Sequence, residues 1–117
     1  MTDRDPDCLF CRIVADEIPS DRVYQDEDVI AFRDIAPRAP THVLVIPRNH
    51  IEDAHALTDA DGDLLAKLFG VVRRVADDEG LEKGYRVVTN VGPEAGQSVF
   101  HLHLHLLGGR PMSWPPG

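Results

Sequence analysis

Three histidines alternate with three leucines in the run Ser98-Val99-Phe100-His101-Leu102-His103-Leu104-His105-Leu106-Leu107. A period of two is that of a β-strand, which predicts the imidazoles on one face and the leucines on the other. Same-face neighbours on a strand lie about 6.6 Å apart, so adjacent rings can address one small ligand. A bland strand would carry serine, threonine or lysine there; three imidazoles point to proton, phosphate or metal chemistry near neutral pH. The second reactive group is Cys8-x-x-Cys11, whose spacing turns both thiols one way on a helical turn. It reads as a redox dithiol, although such pairs normally follow a strand in a βαβ unit. It also reads as two inert buried thiols, or as half of a zinc site that needs two more ligands. The loop Val91-Gly-Pro-Glu-Ala-Gly96-Gln97 leads into the histidines. Its glycines let backbone N–H groups approach an anion, and a plain hairpin connection would look much the same.

The elements that must position these groups follow from pattern. Residues 1–6 read as a loose tail, and Asp7 as the cap of a short helix from Cys8 to about Ala15. Arg22–Gln25 and Val29–Arg33 read as a hairpin around Asp26-Glu27-Asp28, and residues 34–40, with two prolines, as a loop. The β-branched run from His42 to Pro47 reads as a central strand, with His50 just beyond it. Thr58-Asp59-Ala60-Asp61 resembles a cap for one long helix with the apolar stripe Leu64, Leu65, Leu68, Val71, Val72 and Val75, closed by Gly80. Tyr85–Asn90 reads as the strand before the histidines. The Gly/Pro-rich tail, residues 108–117, carries a lone Trp114 that is expected to dock rather than hang in water.

At 117 residues the chain is expected to form one domain, with a composition (43% hydrophobic, 27% charged) that is globular. No apolar run approaches about 18 residues, so no membrane span is expected, and the polar N-terminus does not read as a secretory signal. A net charge of −8 argues against nucleic acid as a partner. A C-x-x-C pair without a signal suggests a reducing, cytoplasmic setting.

His101-Leu-His-Leu-His-Leu-Leu107 resembles the motif of the histidine triad (HIT) superfamily. Ile18-Pro19, Phe32-Arg33-Asp34-Ile35, Ala39-Pro40-Thr41-His42-Val-Leu-Val-Ile-Pro47, Gly84-Tyr85-Arg86, Gly96-Gln97-Ser98, Gly108-Gly109-Arg110 and Trp114-Pro-Pro-Gly117 resemble its Hint branch, so the likeness runs from Cys8 onward. The resemblance implies an α+β fold: an antiparallel sheet of about five strands with one long and one short helix, assembled as a homodimer. It implies hydrolysis of purine nucleoside 5′-phosphoramidates, with dinucleoside polyphosphates as a lesser alternative. In that family the C-terminal tail reaches the partner's active site, which makes the same role an expectation for Trp114.

Carried over residue by residue, the resemblance makes His103 the nucleophile, anchored by a backbone carbonyl near His101, and makes His105 a phosphate contact that stabilises charge if protonated. Clustered imidazoles cannot all be cations at once, which suits one neutral nucleophile beside a cationic partner. Ser98 matches a hydroxyl on the leaving-group side, where a donor helps an amine depart. Asp34 matches the ribose ligand, and the amides around Gly96, Gln97 and Val99 the phosphate site. Leu9, Phe10, Ile13, Phe32, Ile35 and Leu44 match the purine pocket, although each also reads as ordinary core. Asn90 and His42 match supporting polar positions. Some members pair a C-x-x-C with two histidines, which makes Cys8, Cys11, His50 and His101 a candidate structural zinc site, with no metal required for the chemical step. The rival readings are an open metal site on the three histidines, for a hydrolase or oxygenase, and a nucleotide-binding scaffold.

Overall fold

A computed structural model describes residues 4–117. In chain order the elements are α1 (Leu9–Val14), β1 (Arg22–Gln25), β2 (Val29–Arg33), β3 (Thr41–Pro47), α2 (Gly62–Asp78), β4 (Tyr85–Val88) and β5 (Leu104–Gly108). The five strands form one antiparallel sheet in the order β1-β2-β3-β5-β4, as expected of the α+β reading. β3 is buried along its whole length, as suits a central strand covered on both faces.

Alternation sorts the strands into two faces. Val29, Ala31, Val43, Val45, Leu104 and Leu106 turn toward Leu68, Val71, Val72 and Val75 of α2. Ile30, Phe32, Leu44 and Ile46 turn the other way, toward Phe10 and Ile13 of α1. The ladder aligns Phe32 with Leu44 and Leu44 with His105, so the α1 face also carries the reactive residues. No described helix is long and apolar enough to cross a membrane.

Four details differ from expectation. Strand β5 begins at Leu104, so His101 and His103 precede it. The local backbone groups explain this: the Leu102 N–H donates to the Ile51 carbonyl, the Thr89 hydroxyl donates to the His103 carbonyl, and the His101 carbonyl is taken by a side chain. These three groups are spent outside the ladder. The alternation persists regardless, because Leu102 joins the α2-side core. Burial of each leucine contributes about 1.5–3 kcal/mol, enough to fix the register of the extended segment. Second, α1 is capped by Cys8, whose sulfur accepts from the Cys11 N–H, and not by Asp7. Third, the Thr58 capping box closes a short 3₁₀ turn, Asp59–Asp61, that leads into α2. Fourth, of the tail expected over residues 1–6, residues 1–3 lie outside the described residues and the rest is tied down. Arg4 pairs with Glu17, and the Asp5 carbonyl accepts from the Cys8 N–H.

Candidate active site and metal centre

Backbone groups decide which nitrogen each histidine presents. His103 Nδ1–H donates to the His101 carbonyl at 2.7 Å, which leaves Nε2 as the basic nitrogen. Every buried side-chain N or O among the described residues has a partner, and His103 Nε2 has none, so that nitrogen is open to solvent. Burial lowers the pKa of His103, keeping the ring neutral, as a nucleophile requires. The carbonyl anchor near His101 is therefore present.

A second chain of hydrogen bonds sets His105. The Arg38 N–H, which can only donate, meets His42 Nδ1 at 3.0 Å. His42 must carry its proton on Nε2, which donates to His105 Nδ1 at 2.9 Å. A neutral His105 then presents Nε2–H, a donor suited to a phosphate oxygen. The His103 and His105 rings lie 4.9 Å apart. Burial, then the neighbouring His103 and His42, pushes the His105 pKa down to about 4. The fold therefore favours a neutral His105, where the sequence reading has it stabilise charge if protonated. Asp34 Oδ2 lies 3.4 Å from His42 Nε2, and its Oδ1 accepts from the Ala36 N–H.

The first histidine faces elsewhere. His101, fully buried, donates Nε2–H to the Pro47 carbonyl at 2.8 Å. Its Nδ1 lone pair points at two sulfurs, 3.4 Å from Cys8 Sγ and 3.6 Å from Cys11 Sγ. His50 Nδ1 lies 3.3 Å from Cys11 Sγ. The four ligand atoms fall within 4.8 Å of one another. A tetrahedral zinc with bonds of about 2.3 Å to sulfur and 2.0–2.1 Å to nitrogen spaces its donors about 3.3–3.8 Å apart, so the residues fit that ion. The Pro47 carbonyl fixes the ligating tautomer of His101, as outer partners of metal-bound histidines do. Both sulfurs also accept backbone N–H groups, Cys8 from Cys11 and Cys11 from Asp5, each at 3.4 Å, while burial pushes the Cys8 thiol up.

Asp34, His42 and His105 also bring ligand atoms within 4.8 Å, but His42 Nε2 bears the proton and is spent on His105. The hydrogen-bond chain runs from the Arg38 N–H through His42 to His105, with Asp34 beside it. The three triad rings face three different partners, which removes the open-metal arrangement.

The apolar residues divide. Phe10, Ile13, Phe32 and Leu44 are buried; Phe10 stacks edge-on against Phe32 (5.5 Å) and His103 (5.1 Å). Leu9 and Ile35 stand exposed, Ile35 fully, where core packing gives them no role. Gln97 has its amide spent within the loop: Nε2 donates to the Glu52 and Val99 carbonyls, and Oε1 accepts from the Gly92 N–H. Gly96, at φ +100°, lies beside Asn90. Ser98 and Val99 border a cavity of about 390 Å³ with Asp5, Asp7, Cys8, Leu9 and Phe100; the triad does not line it. Trp114 is 81% exposed and does not dock on its own chain. Thr89 and the Arg38 N–H escaped the sequence reading. A threonine at a strand end and a backbone amide leave no signal in residue type.

The HIT domain family pattern matches residues 15–112. A maize protein named 14 kDa zinc-binding protein is 52% identical over 97% of this chain and 90% of its own length. Arabidopsis thaliana adenylylsulfatase HINT1 is 44% identical over 99% of this chain and 80% of its own length. A crystal structure of a HIT family hydrolase from Legionella pneumophila superposes with a TM-score of 0.93 at 52% identity, covering 95% of this chain and all of that one.

Proposed function

Given that the chain belongs to the HIT domain family, we propose that it is a nucleotide hydrolase that cleaves the P–N bond of purine nucleoside 5′-phosphoramidates through His103. The observation that carries the reading is the Nδ1–H of His103 held on the His101 carbonyl at 2.7 Å, with Nε2 open. In the first step Nε2 attacks the α-phosphorus. The P–N bond breaks, its electron pair leaves with the amine nitrogen, and that nitrogen takes up a proton from solvent. Ser98 stands on the leaving-group side of this step by family likeness. In the second step water attacks phosphorus and gives a proton back to solvent, the phosphohistidine bond breaks with its electron pair returning to His103 Nε2, and the nucleoside monophosphate departs. His105 Nε2–H donates to a phosphate oxygen as charge builds. Asp34 accepts from the ribose hydroxyls and Val99 offers its backbone amide to the phosphate; the Gly96 and Gln97 amides, expected there too, are instead held by the Pro93 and Gly92 carbonyls and shape the loop beside Asn90. Leu9 and Ile35 close over the purine above a floor of Phe10, Ile13, Phe32 and Leu44, and His42 orients His105.

Cys8, Cys11, His50 and His101 hold a structural zinc, which cross-links α1 to the segment before β5 and supplies nothing to bond making. Two copies associate as a homodimer through the free edge of β4 and the exposed aromatics Tyr85 and Phe69. Trp114, exposed on its own chain, extends toward the partner subunit's site, and the setting is cytoplasmic.

His103→Ala is expected to reduce hydrolysis of adenosine phosphoramidate to background while adenosine monophosphate still binds. EDTA that leaves the buried site loaded is expected to leave the rate unchanged. Undiminished turnover by the variant overturns the reading. Assays with adenylyl sulfate, suggested by the Arabidopsis relative's name, and with a dinucleoside polyphosphate rank the leaving groups. Tight nucleotide binding without turnover of any of the three favours a scaffold.

A further inference from the structure

Resting on that reading, we propose that Gln97 is a positioning residue whose buried side-chain amide sets the Ser98 hydroxyl and the Val99 N–H against the scissile phosphate. Gln97 is 5% exposed, and both ends of its amide are engaged by backbone. Nε2 donates to the Glu52 carbonyl at 2.9 Å and to the Val99 carbonyl at 3.2 Å, and Oε1 accepts from the Gly92 N–H at 2.8 Å. Backbone partners cannot exchange roles, so the amide has one orientation only. One side chain thereby joins three segments: the loop that begins at Gly92, the stretch 51–52 beyond β3, and the pair Ser98-Val99 that the reaction uses.

Residues 98–100 lie in no strand or helix, so no ladder aims them. They hang between two anchors on consecutive carbonyls: Gln97 Nε2 on Glu52, and the Leu102 N–H on Ile51 at 2.6 Å. The second Gln97 contact, to the Val99 carbonyl, closes a ring through the backbone that encloses Ser98 whole. That ring restricts the torsions of Ser98 and Val99, and with them the Cα–Cβ bond that carries the hydroxyl and the direction of the Val99 N–H. Other contacts do not replace it. The Gln97 N–H on the Gly92 carbonyl closes the loop on itself and reaches neither Glu52 nor Val99. The Val99 side chain packs against the α1-side core, but apolar packing is non-directional and leaves the peptide planes to hydrogen bonds. The Val99 N–H itself finds no acceptor among the described residues, which leaves it for a phosphate oxygen. Donors fixed before the substrate arrives need no reorganisation as charge develops.

The test compares Gln97→Glu, which keeps the size and puts an oxygen where the donor nitrogen stood, and Gln97→Ala with the wild type. Two substrates are used: the adenosine phosphoramidate of an alkylamine, which needs a donor to depart, and that of p-nitroaniline, which does not. Amide dispersion of the sheet reports whether each variant is folded. In folded variants kcat/KM for the alkylamidate is expected to fall by about tenfold to a hundredfold, the scale of a small misplacement of reacting groups, and kcat/KM for the nitroanilide to fall less. A merely structural glutamine would lower both alike, so equal losses on the two substrates, or none, overturn the proposal. The Val99 amide resonance is expected to shift when adenosine monophosphate is added to the wild type and to shift less in both variants; a shift as large as that of the wild type overturns the proposal as well. If both variants unfold, the wild type decides. The Hε2 resonances of Gln97 are expected to move together with the Val99 amide as adenosine monophosphate is added, and Hε2 resonances that stay fixed overturn the proposal. Turnover that survives His103→Ala overturns the function, while the adenosine monophosphate titration, which needs no turnover, still decides the positioning.

Discussion

His42 accepts a hydrogen bond from the Arg38 amide on one nitrogen and donates one to His105 from the other. Such a ring is neutral while both contacts last, and burial lowers the pKa of His103 and His105 as well, so the imidazoles rest neutral beside Asp34. This has a measurable consequence for stability. The pKa of His105 is about 4 in the fold against 6.5 for an ordinary histidine, so between those values the unfolded chain binds more protons than the folded one. Stability is full above pH 6.5 and falls as the pH drops toward 4. His105→Gln removes this titration, and its urea midpoint is expected to decline less steeply than that of the wild type over the same window. Parallel curves would show that His105 is not held neutral by the fold. The residue types at 101, 103 and 105 were legible in the sequence as chemistry. Their division of labour followed only from resemblance, because it depends on the carbonyls of Pro47 and His101 and the amide of Arg38, which any residue could supply.

Among the elements, β2, β3 and α2 were legible because their apolar patterns are long and regular. The start of β5 was not, because strict alternation describes an extended chain and not whether a neighbour pairs with it. The alternation ran three residues ahead of the ladder, and Thr89, Ile51 and the His103 ring took the place of a partner strand. Close packing at the other end of β5 gives the element its own test. A Cβ at Gly108 would lie 2.7 Å from Leu81 Cδ1 and 2.9 Å from Cδ2, and Leu81 is buried in the α2-side core. Gly108→Ala is expected to lower unfolding free energy by about 1–3 kcal/mol through overpacking, as measured by urea denaturation. Trimming the neighbour with Leu81→Ala in the same chain should recover part of that loss; a Gly108→Ala variant as stable as wild type would mean that the two elements separate freely.

At the scale of the molecule, the sheet divides labour between its faces: α2 covers one, and α1 with the histidines occupies the other. The edges remain, and an open β4 is a pairing surface that proteins seldom leave unmanaged. Sedimentation at micromolar concentration is expected to give twice the chain mass, and Phe69→Glu combined with Tyr85→Glu to give the monomer; a wild-type monomer would sink the dimer. The division of faces also bears on how such a chain can vary. From His101 to Leu106 each residue faces opposite to the next, leucines under α2 and histidines toward α1. Inserting or deleting one residue there would exchange the two sets, placing imidazoles in the dry core and leucines in the pocket. The fold and the chemistry would fail in a single event, so over a family's history this stretch can change letters but not length.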